Sequence, residues 1–371
     1  MNEISADLRP SRRTVLSATA VLGGLASVPL TAAPSSATPP RRPGHGWASP
    51  FVVGHRGASA YRPEHTVASW ELAARLGADV VEPDLVPTKD GVLVCRHEPE
   101  ISGTTDVAAH PEFADRRTTK TIDGVAYTGW FTEDLTFAEL RTLRAVERLP
   151  ELRQHNTVHD GLWCVPTFEE ALDTRQRLSR ELGRTIGIIP EIKHSTYFRS
   201  LGFDLEAEVV RILRARRLNS PAAPVVVQSF ELTNLVQLRT RYGLRTPTVF
   251  LTSETGAPAD LVAAGDPRDY ADLLVPSSLR DLARHVDQIG PSLVQVSADL
   301  VDDAHAAGLQ VVPYTLRPEN DFLPEEFRTG DDPADWGRVL DYAAQLLATG
   351  VDGFFTDAPD LGVLAREQLR G

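Results

Sequence analysis

The chain has 371 residues, of which 42% are hydrophobic and 24% are charged, and this composition is typical of a soluble globular protein with one large or two ordinary domains. The formal net charge of −13 disfavours nucleic acid or an anionic membrane as a partner, because an acidic surface repels both. If the substrate is itself anionic, a local cation must offset the same repulsion. No segment after the first forty residues is apolar and long enough to span a membrane, so stable membrane insertion is not expected.

The N-terminus has the three parts of a cleavable export signal. Arg12 and Arg13 precede a small apolar run over 17–30, and a small-residue end closes the segment at Ala33. The run is shorter than the roughly 20 residues that a spanning helix needs. We expect a twin-arginine signal peptide over 1–33, a flexible leader over 34–47 and one domain over 48–371. The protein is then extracellular, periplasmic or associated with the cell wall, and cleavage could follow residue 33 or residue 37.

The rest of the chain alternates short β-branched runs with longer amphipathic stretches, which predicts β/α units around a parallel sheet. Eight runs read as strands: 51–55, 79–85, 92–97, 185–192, 224–229, 248–252, 310–315 and 352–356. Helices are predicted between them at 66–76, 168–182, 205–216, 232–241, 301–307 and 335–348. Eight strands fit a distorted (β/α)8 TIM barrel.

Two segments depart from a regular barrel. The turn over 87–91 joins the second and third runs in too few residues for a parallel crossover, which usually needs about a dozen, so a hairpin or a skipped helix is expected there. About sixty polar residues over 99–161 then separate the third run from the next helix. We interpret this segment as an inserted cap beside the barrel mouth.

Charged side chains, three of them carboxylates, lie at alternating positions near the ends of two predicted strands. Glu82 and Asp84 share one face of a strand, and so do Glu191 and Lys193, so both pairs can point into the barrel mouth. Three buried carboxylates need compensation, and hard oxygen donors suit Ca²⁺ or Mg²⁺. Zinc is disfavoured because thiol and imidazole ligands are not at metal spacing. Ordinary ion pairing remains the alternative for each carboxylate taken singly.

Histidine and cationic side chains also lie near the ends of the predicted strands. His55 and His97 each end a predicted strand, and two histidines can serve as the base and the acid that cleavage of a phosphodiester with an alcohol leaving group requires. Arg56 and Lys193 would hold phosphate oxygens. Which histidine is the base cannot be read from these positions.

The motifs as a set resemble those of the glycerophosphodiester phosphodiesterases, over about residues 51–366. They are Val53-Gly54-His55-Arg56-Gly57-Ala58, Pro63-Glu64-His65-Thr66, Glu82-Pro83-Asp84, Thr88-Lys89-Asp90-Gly91, Pro190-Glu191-Ile192-Lys193 and Phe355-Thr356-Asp357-Ala358-Pro359-Asp360. The sequence Glu64-His65-Thr66, the long insertion and residues 312–317 are most similar to the calcium-dependent periplasmic type.

The resemblance implies a role for each of these positions. His55 and His97 become the acid/base pair, and Glu82, Asp84 and Glu191 become ligands of Ca²⁺, with Mg²⁺ as the alternative. Arg56 and Lys193 contact the phosphate, Glu64 stands behind a ligand or beside the substrate, and Tyr314 lines the alcohol pocket unless it only packs in the core.

The implied reaction begins with attack of the glycerol 2-hydroxyl on phosphorus. This attack releases the alcohol, and water then opens the cyclic phosphate to give sn-glycerol 3-phosphate. The family usually has His-Asp at the positions of His97 and Glu98, and strand alternation predicts that Glu98 faces away from His97.

Two other functions remain open at this point. A related barrel phospholipase of D or C type would keep both histidines but accept acylated substrates, and a non-catalytic phosphodiester-binding protein would need no acid/base pair. Cys95 and Cys164 could form a disulfide after export or remain reduced. The head group, polymeric substrates and the oligomeric state are not indicated by the sequence.

Overall fold

The computed structural model describes residues 47–370. The predicted signal peptide, and the predicted leader except Trp47, lie outside the described residues. Within them, the strands are β1 (Phe51–Gly54), β2 (Val80–Val81), β3 (Asp84–Pro87), β4 (Leu93–Cys95), β5 (Thr118–Ile122), β6 (Val125–Gly129), β7 (Gly187–Ile188), β8 (Glu191–Ile192), β9 (Val227–Ser229), β10 (Thr248–Thr252), β11 (Gln288–Pro291), β12 (Gln310–Val311) and β13 (Gly353–Thr356). The helices are α1 (Val67–Arg75), α2 (Phe137–Leu140), α3 (Phe168–Glu181), α4 (Ser195–Ser200), α5 (Leu205–Ala215), α6 (Leu232–Thr240), α7 (Ala259–Ala264), α8 (Tyr270–Leu273), α9 (Pro276–Leu282), α10 (Ala298–Ala307), α11 (Val339–Ala348) and α12 (Pro359–Arg370).

Parallel pairing joins the strands into a closed barrel. One sheet has the order β13-β1-β2-β7, and the other contains β12-β11-β10-β9-β8-β3. β2 and β3 are two parts of one strand, interrupted at Pro83, and β7 and β8 are likewise interrupted at Pro190, because proline has no N–H for the ladder. Phe355 N–H donates to the Pro313 carbonyl at 2.9 Å, which closes the ring between β12 and β13. The predicted α/β class with parallel strands is confirmed.

Two strand assignments are corrected. The run 92–97, predicted as the third barrel strand, contributes β4, which pairs antiparallel with β3. The short turn over 87–91 is therefore a hairpin, one of the two expected forms. The eighth barrel strand is instead β11, parallel to β10 and β12, which the sequence analysis missed because Gly290 and Pro291 hide its β pattern. The segment 99–161 thus follows a hairpin arm and not a barrel strand.

The predicted helices agree with the structure to within one or two residues, apart from two boundaries. α10 begins at Ala298, three residues before the predicted start, because Ser297 caps its N-terminus. α11 begins at Val339, four residues late, since Trp336 is bridged to Glu319 in extended pairing. Short helices such as α4, α8 and α9 were not predicted, because they are too brief to give a periodic pattern.

The barrel interior is apolar below its mouth. Its core residues come from seven of the strand regions: Phe51, Val53, Val80, Ile189, Val226, Val249, Leu251, Val312 and Phe355. The larger apolar cluster includes residues of α1, α3, α5, α10 and α11 together with strand residues such as Val52 and Phe354. None of the helices among residues 47–370 is long and apolar enough to cross a membrane.

Residues 99–161 contain the antiparallel hairpin β5–β6, α2 and several short 3₁₀ turns. The hairpin turns at Asp123 and Gly124, which both have positive φ, and glycine accepts that conformation without strain. Cys95 is buried and Cys164 is half-buried, and both are free thiols.

Candidate active site

Inward-facing side chains change from apolar to polar or aromatic at the carboxyl ends of the barrel strands. On β1, Phe51 and Val53 belong to the apolar interior, and His55 follows two positions later. The same two-residue step occurs on other barrel strands: Val80 to Glu82, Ile189 to Glu191, Val226 to Gln228, Val312 to Tyr314 and Phe355 to Asp357. Because the strands are parallel, these side chains meet at one mouth of the barrel.

His55 is held by a buried carboxylate. Its Nδ1 lies 2.6 Å from Asp357 Oδ1, and Asp357 Oδ2 accepts a hydrogen bond from Arg153 at 2.6 Å. Arg317 Nε lies 3.2 Å from the same oxygen. Burial alone would raise the pKa of Asp357, but Arg153, Arg317 and His55 hold that pKa well below its usual range. Burial, reinforced by Arg56, lowers the pKa of His55 to about 4, so the free imidazole is neutral at physiological pH.

His97 is held in a similar way, which corrects one prediction. Its Nδ1 is hydrogen-bonded to Glu98 Oε1, so Glu98 does not face away. The alternation argument fails because β4 ends at Cys95, before these residues. Glu98 Oε2 also accepts a hydrogen bond from Arg148 at 2.6 Å. Burial, together with Arg56 and Lys193, lowers the pKa of His97 to about 3.

The three predicted metal-binding carboxylates lie side by side. Asp84 and Glu191 are partners in the β3–β8 register, and Glu82 is two residues from Asp84 on the same strand. His65, which the sequence analysis did not assign, contacts Asp84 Oδ2 through Nε2 at 2.8 Å. Ligand atoms of His65, Glu82 and Asp84 all lie within 4.8 Å of one another. The structure therefore adds a buried imidazole to the predicted oxygen donors, and the expectation that no imidazole lies at metal spacing is wrong.

The charges of this cluster suit a divalent cation. Burial and repulsion from Asp84 and Glu191 raise the pKa of Glu82 well above its usual range. Burial also raises the pKa of Glu191 to about 8, although Lys193 Nζ lies 2.8 Å from its Oε1. Asp84 Oδ1 is buried and has no hydrogen-bond partner. Three carboxylates thus share two nearby cations, Lys193 and Arg56. Three hard oxygen donors match Ca²⁺ or Mg²⁺, so a metal ion is compatible with this cluster.

Arg56 connects the cluster to the rest of the mouth. Its backbone N–H donates to Glu82 Oε2 at 2.7 Å, and its guanidinium donates to Glu64 Oε2 at 2.9 Å. Glu64 also accepts two hydrogen bonds from Arg148, at 2.6 and 2.7 Å. With both oxygens occupied, Glu64 positions two arginines, and it lines neither of the cavities at the mouth.

Two adjoining cavities open at the mouth. The inner cavity, about 230 Å³, is lined by His55, Arg56, Glu82, His97, Glu191, Gln228, Phe230, Leu251, Tyr314, Thr315, Arg317 and Phe355. The outer cavity, about 350 Å³, shares His97, Glu191 and Phe230 with it and extends past Lys193 to the β5–β6 hairpin. Tyr314 donates its hydroxyl to the Thr252 carbonyl at 3.0 Å and still lines the inner cavity. The nine predicted site residues therefore lie at or directly behind one mouth.

Five further residues belong to this arrangement and were missed: His65, Arg148, Arg153, Arg317 and Asp357. His65, Asp357 and Arg317 lie in motifs that carried the resemblance, and Asp357 follows core residue Phe355 by two positions, which could have indicated it. Arg148 and Arg153 lie in the insertion, and nothing in their sequence neighbourhood relates them to residues that are distant in the chain.

Residues 55–361 match the model of the glycerophosphoryl diester phosphodiesterase family. The chain belongs to this family. It is 33% identical over 359 residues to a glycerophosphodiester phosphodiesterase of Arabidopsis thaliana, with 91% of each chain covered.

Solved structures agree on the fold. A crystal structure from Silicibacter pomeroyi that carries the same family name has a TM-score of 0.61 and 21% identity, and the match covers 87% of this chain and 94% of that one. An Oleispira antarctica phosphodiesterase solved with the product sn-glycerol 3-phosphate has a TM-score of 0.54 and 20% identity, covering 86% and 97%. The predicted family and the predicted enzymatic activity are confirmed: the chain is a glycerophosphodiester phosphodiesterase.

Proposed function

We propose that this glycerophosphodiester phosphodiesterase releases sn-glycerol 3-phosphate and a free alcohol by two-histidine acid/base catalysis. The observation that carries this proposal is that His55 and His97 line the same inner cavity, together with Arg56 and two carboxylates of the proposed metal cluster. A mere binding protein needs no such pair, whereas transfer of two protons at one phosphorus does.

The positions of the histidines support a division of labour. His97 lines both cavities, whereas His55 lines only the inner one. If glycerophosphate occupies the inner cavity and the alcohol occupies the outer one, His97 is beside the leaving oxygen. His55 then accepts the proton of the glycerol 2-hydroxyl. The anionic phosphodiester beside His97 favours its protonated form, and His97 donates that proton to the departing alcohol.

The first step forms the bond between the 2-oxygen and phosphorus and breaks the bond between phosphorus and the alcohol oxygen. The product of this step is a five-membered cyclic phosphate. In the second step a water molecule gives its proton to His97, its oxygen bonds to phosphorus, and His55 returns a proton to the 2-oxygen as the ring opens. Both histidines end in their starting states, so the cycle is balanced.

The anionic phosphate is held by cations of the chain. Arg56 and Arg317 line the inner cavity, and Lys193 lies at the boundary through its contact with Glu191. Arg56 can present a planar fork to two phosphate oxygens, and Lys193 supplies a point charge. Tyr314, which the resemblance assigned to the alcohol pocket, lines the inner cavity and not the outer one, so in this proposal it limits the size of the glycerophosphate group.

Glu82, Asp84 and Glu191 would hold a divalent cation, with His65 beside Asp84 as a further ligand or as a support. When bound, such an ion neutralises the carboxylates and stabilises the charge that accumulates on the phosphate in the transition state. The oxygen donors favour Ca²⁺, with Mg²⁺ as the alternative.

Export by the twin-arginine signal over 1–33 is part of the proposal, and so is a cap role for residues 99–161. Arg148 and Arg153 of that segment contact Glu64, Glu98 and Asp357 at the mouth, which supports a cap that aligns catalytic groups. An exported enzyme of this kind would act on glycerophosphodiesters outside the cytoplasm.

The proposed function is tested by product analysis with glycerophosphocholine. We expect equimolar sn-glycerol 3-phosphate and choline from the wild-type protein, and a transient cyclic glycerophosphate in the ³¹P NMR spectrum. The matched control is the double variant of His55→Ala and His97→Ala, which should give neither product. Release of phosphocholine and glycerol would contradict the proposed bond cleavage.

A further inference from the structure

The outer cavity has a chemical character of its own. Four carboxylates and three aromatic rings line it, whereas its one lysine already contacts Glu191: the acids are Glu98, Asp123, Glu191 and Glu231, and the rings are those of Tyr127, Phe230 and Tyr270. The inner cavity differs, since the guanidinium groups of Arg56 and Arg317 there balance the carboxylates of Glu82 and Glu191. The excess of carboxylates at the mouth therefore lies at its outer end.

Among the described residues, Glu231 is the acid of the outer cavity that neither a cation nor an imidazole contacts. The other three acids contact a cation or an imidazole: Glu191 meets Lys193 at 2.8 Å, Glu98 meets Arg148 at 2.6 Å, and Asp123 meets His194 at 2.6 Å. Glu231 is 4% exposed, and its carboxyl group accepts hydrogen bonds from the backbone and hydroxyl of Thr196, which are neutral donors. Burial raises the pKa of Glu231 to about 7, and a cation in the cavity favours its ionised form. A buried carboxylate held by neutral donors attracts a cation from the cavity.

The aromatic rings complete a surface that favours a cation. Phe230 packs edge to face against Tyr270, with ring centroids 6.2 Å apart, and Lys193 Nζ already lies 5.6 Å from the Phe230 centroid. Tyr127, on strand β6 of the hairpin, lines the same cavity. Ring faces attract ammonium groups, and quaternary ammonium ligands are recognised by aromatic rings together with carboxylates.

We propose that the outer cavity is a subsite for a cationic alcohol, a quaternary or primary ammonium group joined to the phosphate through a short chain. This inference rests on the proposed function, because it takes the phosphate to lie beside His97, where the two cavities join. A zwitterionic phosphodiester then matches both ends of the mouth. An anionic head group meets four carboxylates and is disfavoured.

The experiment compares two substrates of the same shape that differ in charge. One is glycerophosphocholine, and the other is its 3,3-dimethylbutyl analogue, in which carbon replaces the quaternary nitrogen. For the wild-type protein we expect kcat/KM to favour the choline ester by about tenfold or more, since one desolvated charge contact has at least that effect.

Variants locate the source of this preference. Glu231→Gln retains an oxygen that can accept from Thr196, and it should reduce the choline preference about tenfold. Tyr127→Leu, a change on the rim, should reduce it about two- to fivefold. Glu254→Gln is the matched control, because Glu254 is exposed, follows lining residue Ser253 and does not itself line the cavity. Its choline preference should equal that of the wild type.

The possible failures are distinguishable. If the wild-type protein cleaves neither ester, the proposed function itself is contradicted. If it cleaves both equally, or if Glu231→Gln retains the full choline preference, the cationic subsite is overturned while the proposed function stands. Loss of preference in Glu254→Gln would also overturn it, because a general surface field would then explain the selectivity.

Discussion

Two groups of residues at the barrel mouth have the same arrangement but differ in burial. In each, Nδ1 of a histidine contacts a carboxylate that is held by an arginine from residues 99–161. The buried triad consists of His55, Asp357 and Arg153, and the half-buried triad consists of His97, Glu98 and Arg148. In the buried triad the carboxylate and arginine side chains are 3% and 4% exposed, whereas in the half-buried triad they are 21% and 25% exposed.

The difference in burial follows from the elements that carry the residues. His55 and Asp357 continue β1 and β13, which are hydrogen-bonded neighbours in the barrel, so their separation is fixed by the sheet. His97 and Glu98 follow a short hairpin arm, where water can replace a lost contact. The buried triad is suited to a proton acceptor at a constant position, and the half-buried triad is suited to alcohols of different shape.

Metal removal should produce the largest effect, because it affects the groups between the two triads. Without a divalent cation, repulsion among Glu82, Asp84 and Glu191 returns, and turnover should be abolished in excess chelator. Added Ca²⁺ should restore activity better than Zn²⁺, as oxygen ligands favour hard ions. Steady-state rates before and after chelation check this, and full activity in excess chelator would show that catalysis does not require a metal.

The histidines should show the next largest effect. His55→Ala and His97→Ala should each lower kcat by at least about a hundredfold, the usual contribution of a general acid or base. The double variant should lose much less than the product of the two losses, because the residues act in one step. Circular dichroism would verify the fold. A single variant with near-normal turnover would exclude that histidine from the mechanism.

Substitution of the carboxylates that hold the two histidines should lower kcat to different extents. Asp357→Asn should lower kcat about ten- to a hundredfold, because a buried partner that orients an imidazole has no replacement. Glu98→Gln should lower kcat less than about tenfold, because Glu98 is more exposed to solvent than Asp357. Equal losses would mean that the difference in burial has no functional consequence.

The smallest expected effect is a shift in the pH dependence of the rate, and the direction of that shift is well defined. Asp357 raises the pKa of His55, which burial lowers to about 4, so Asp357→Asn lowers that pKa further. As a base, His55 acts in its neutral form, and the acid limb of kcat/KM should therefore move to lower pH. In Glu98→Gln the pKa of His97 falls. The proposed acid acts in its protonated form in the substrate complex, so the alkaline limb of kcat should move to lower pH. Profiles measured at saturating metal would distinguish these two shifts.

Much of this site could be predicted from local sequence. Alternation along a strand placed Glu82, Asp84, Glu191 and Lys193 at the mouth, since a strand that continues regularly preserves its facing. The same rule failed at Glu98, where the strand had already ended. Strand β11 was missed for a different reason, because Gly290 and Pro291 interrupt the β-branched pattern on which strand prediction depends.

What could not be predicted depends on contacts between distant parts of the chain. Arg153 lies 204 residues from Asp357, and Arg148 lies 84 residues from Glu64. Such pairs have no periodicity or spacing, so only the folded chain brings them together. The outer cavity has the same origin, since the hairpin that carries Tyr127 and the loop that carries Glu231 meet only in three dimensions.

The division of labour between the histidines is tested most directly by changing the leaving group. A glycerophosphodiester of p-nitrophenol releases a weakly basic phenolate that needs little protonation. On this substrate His97→Ala should recover most of its lost kcat/KM, whereas His55→Ala should remain at least about a hundredfold impaired, because the 2-hydroxyl still requires a base. Recovery by His55→Ala with continued impairment of His97→Ala would reverse the assignment and contradict the roles inferred from the two cavities.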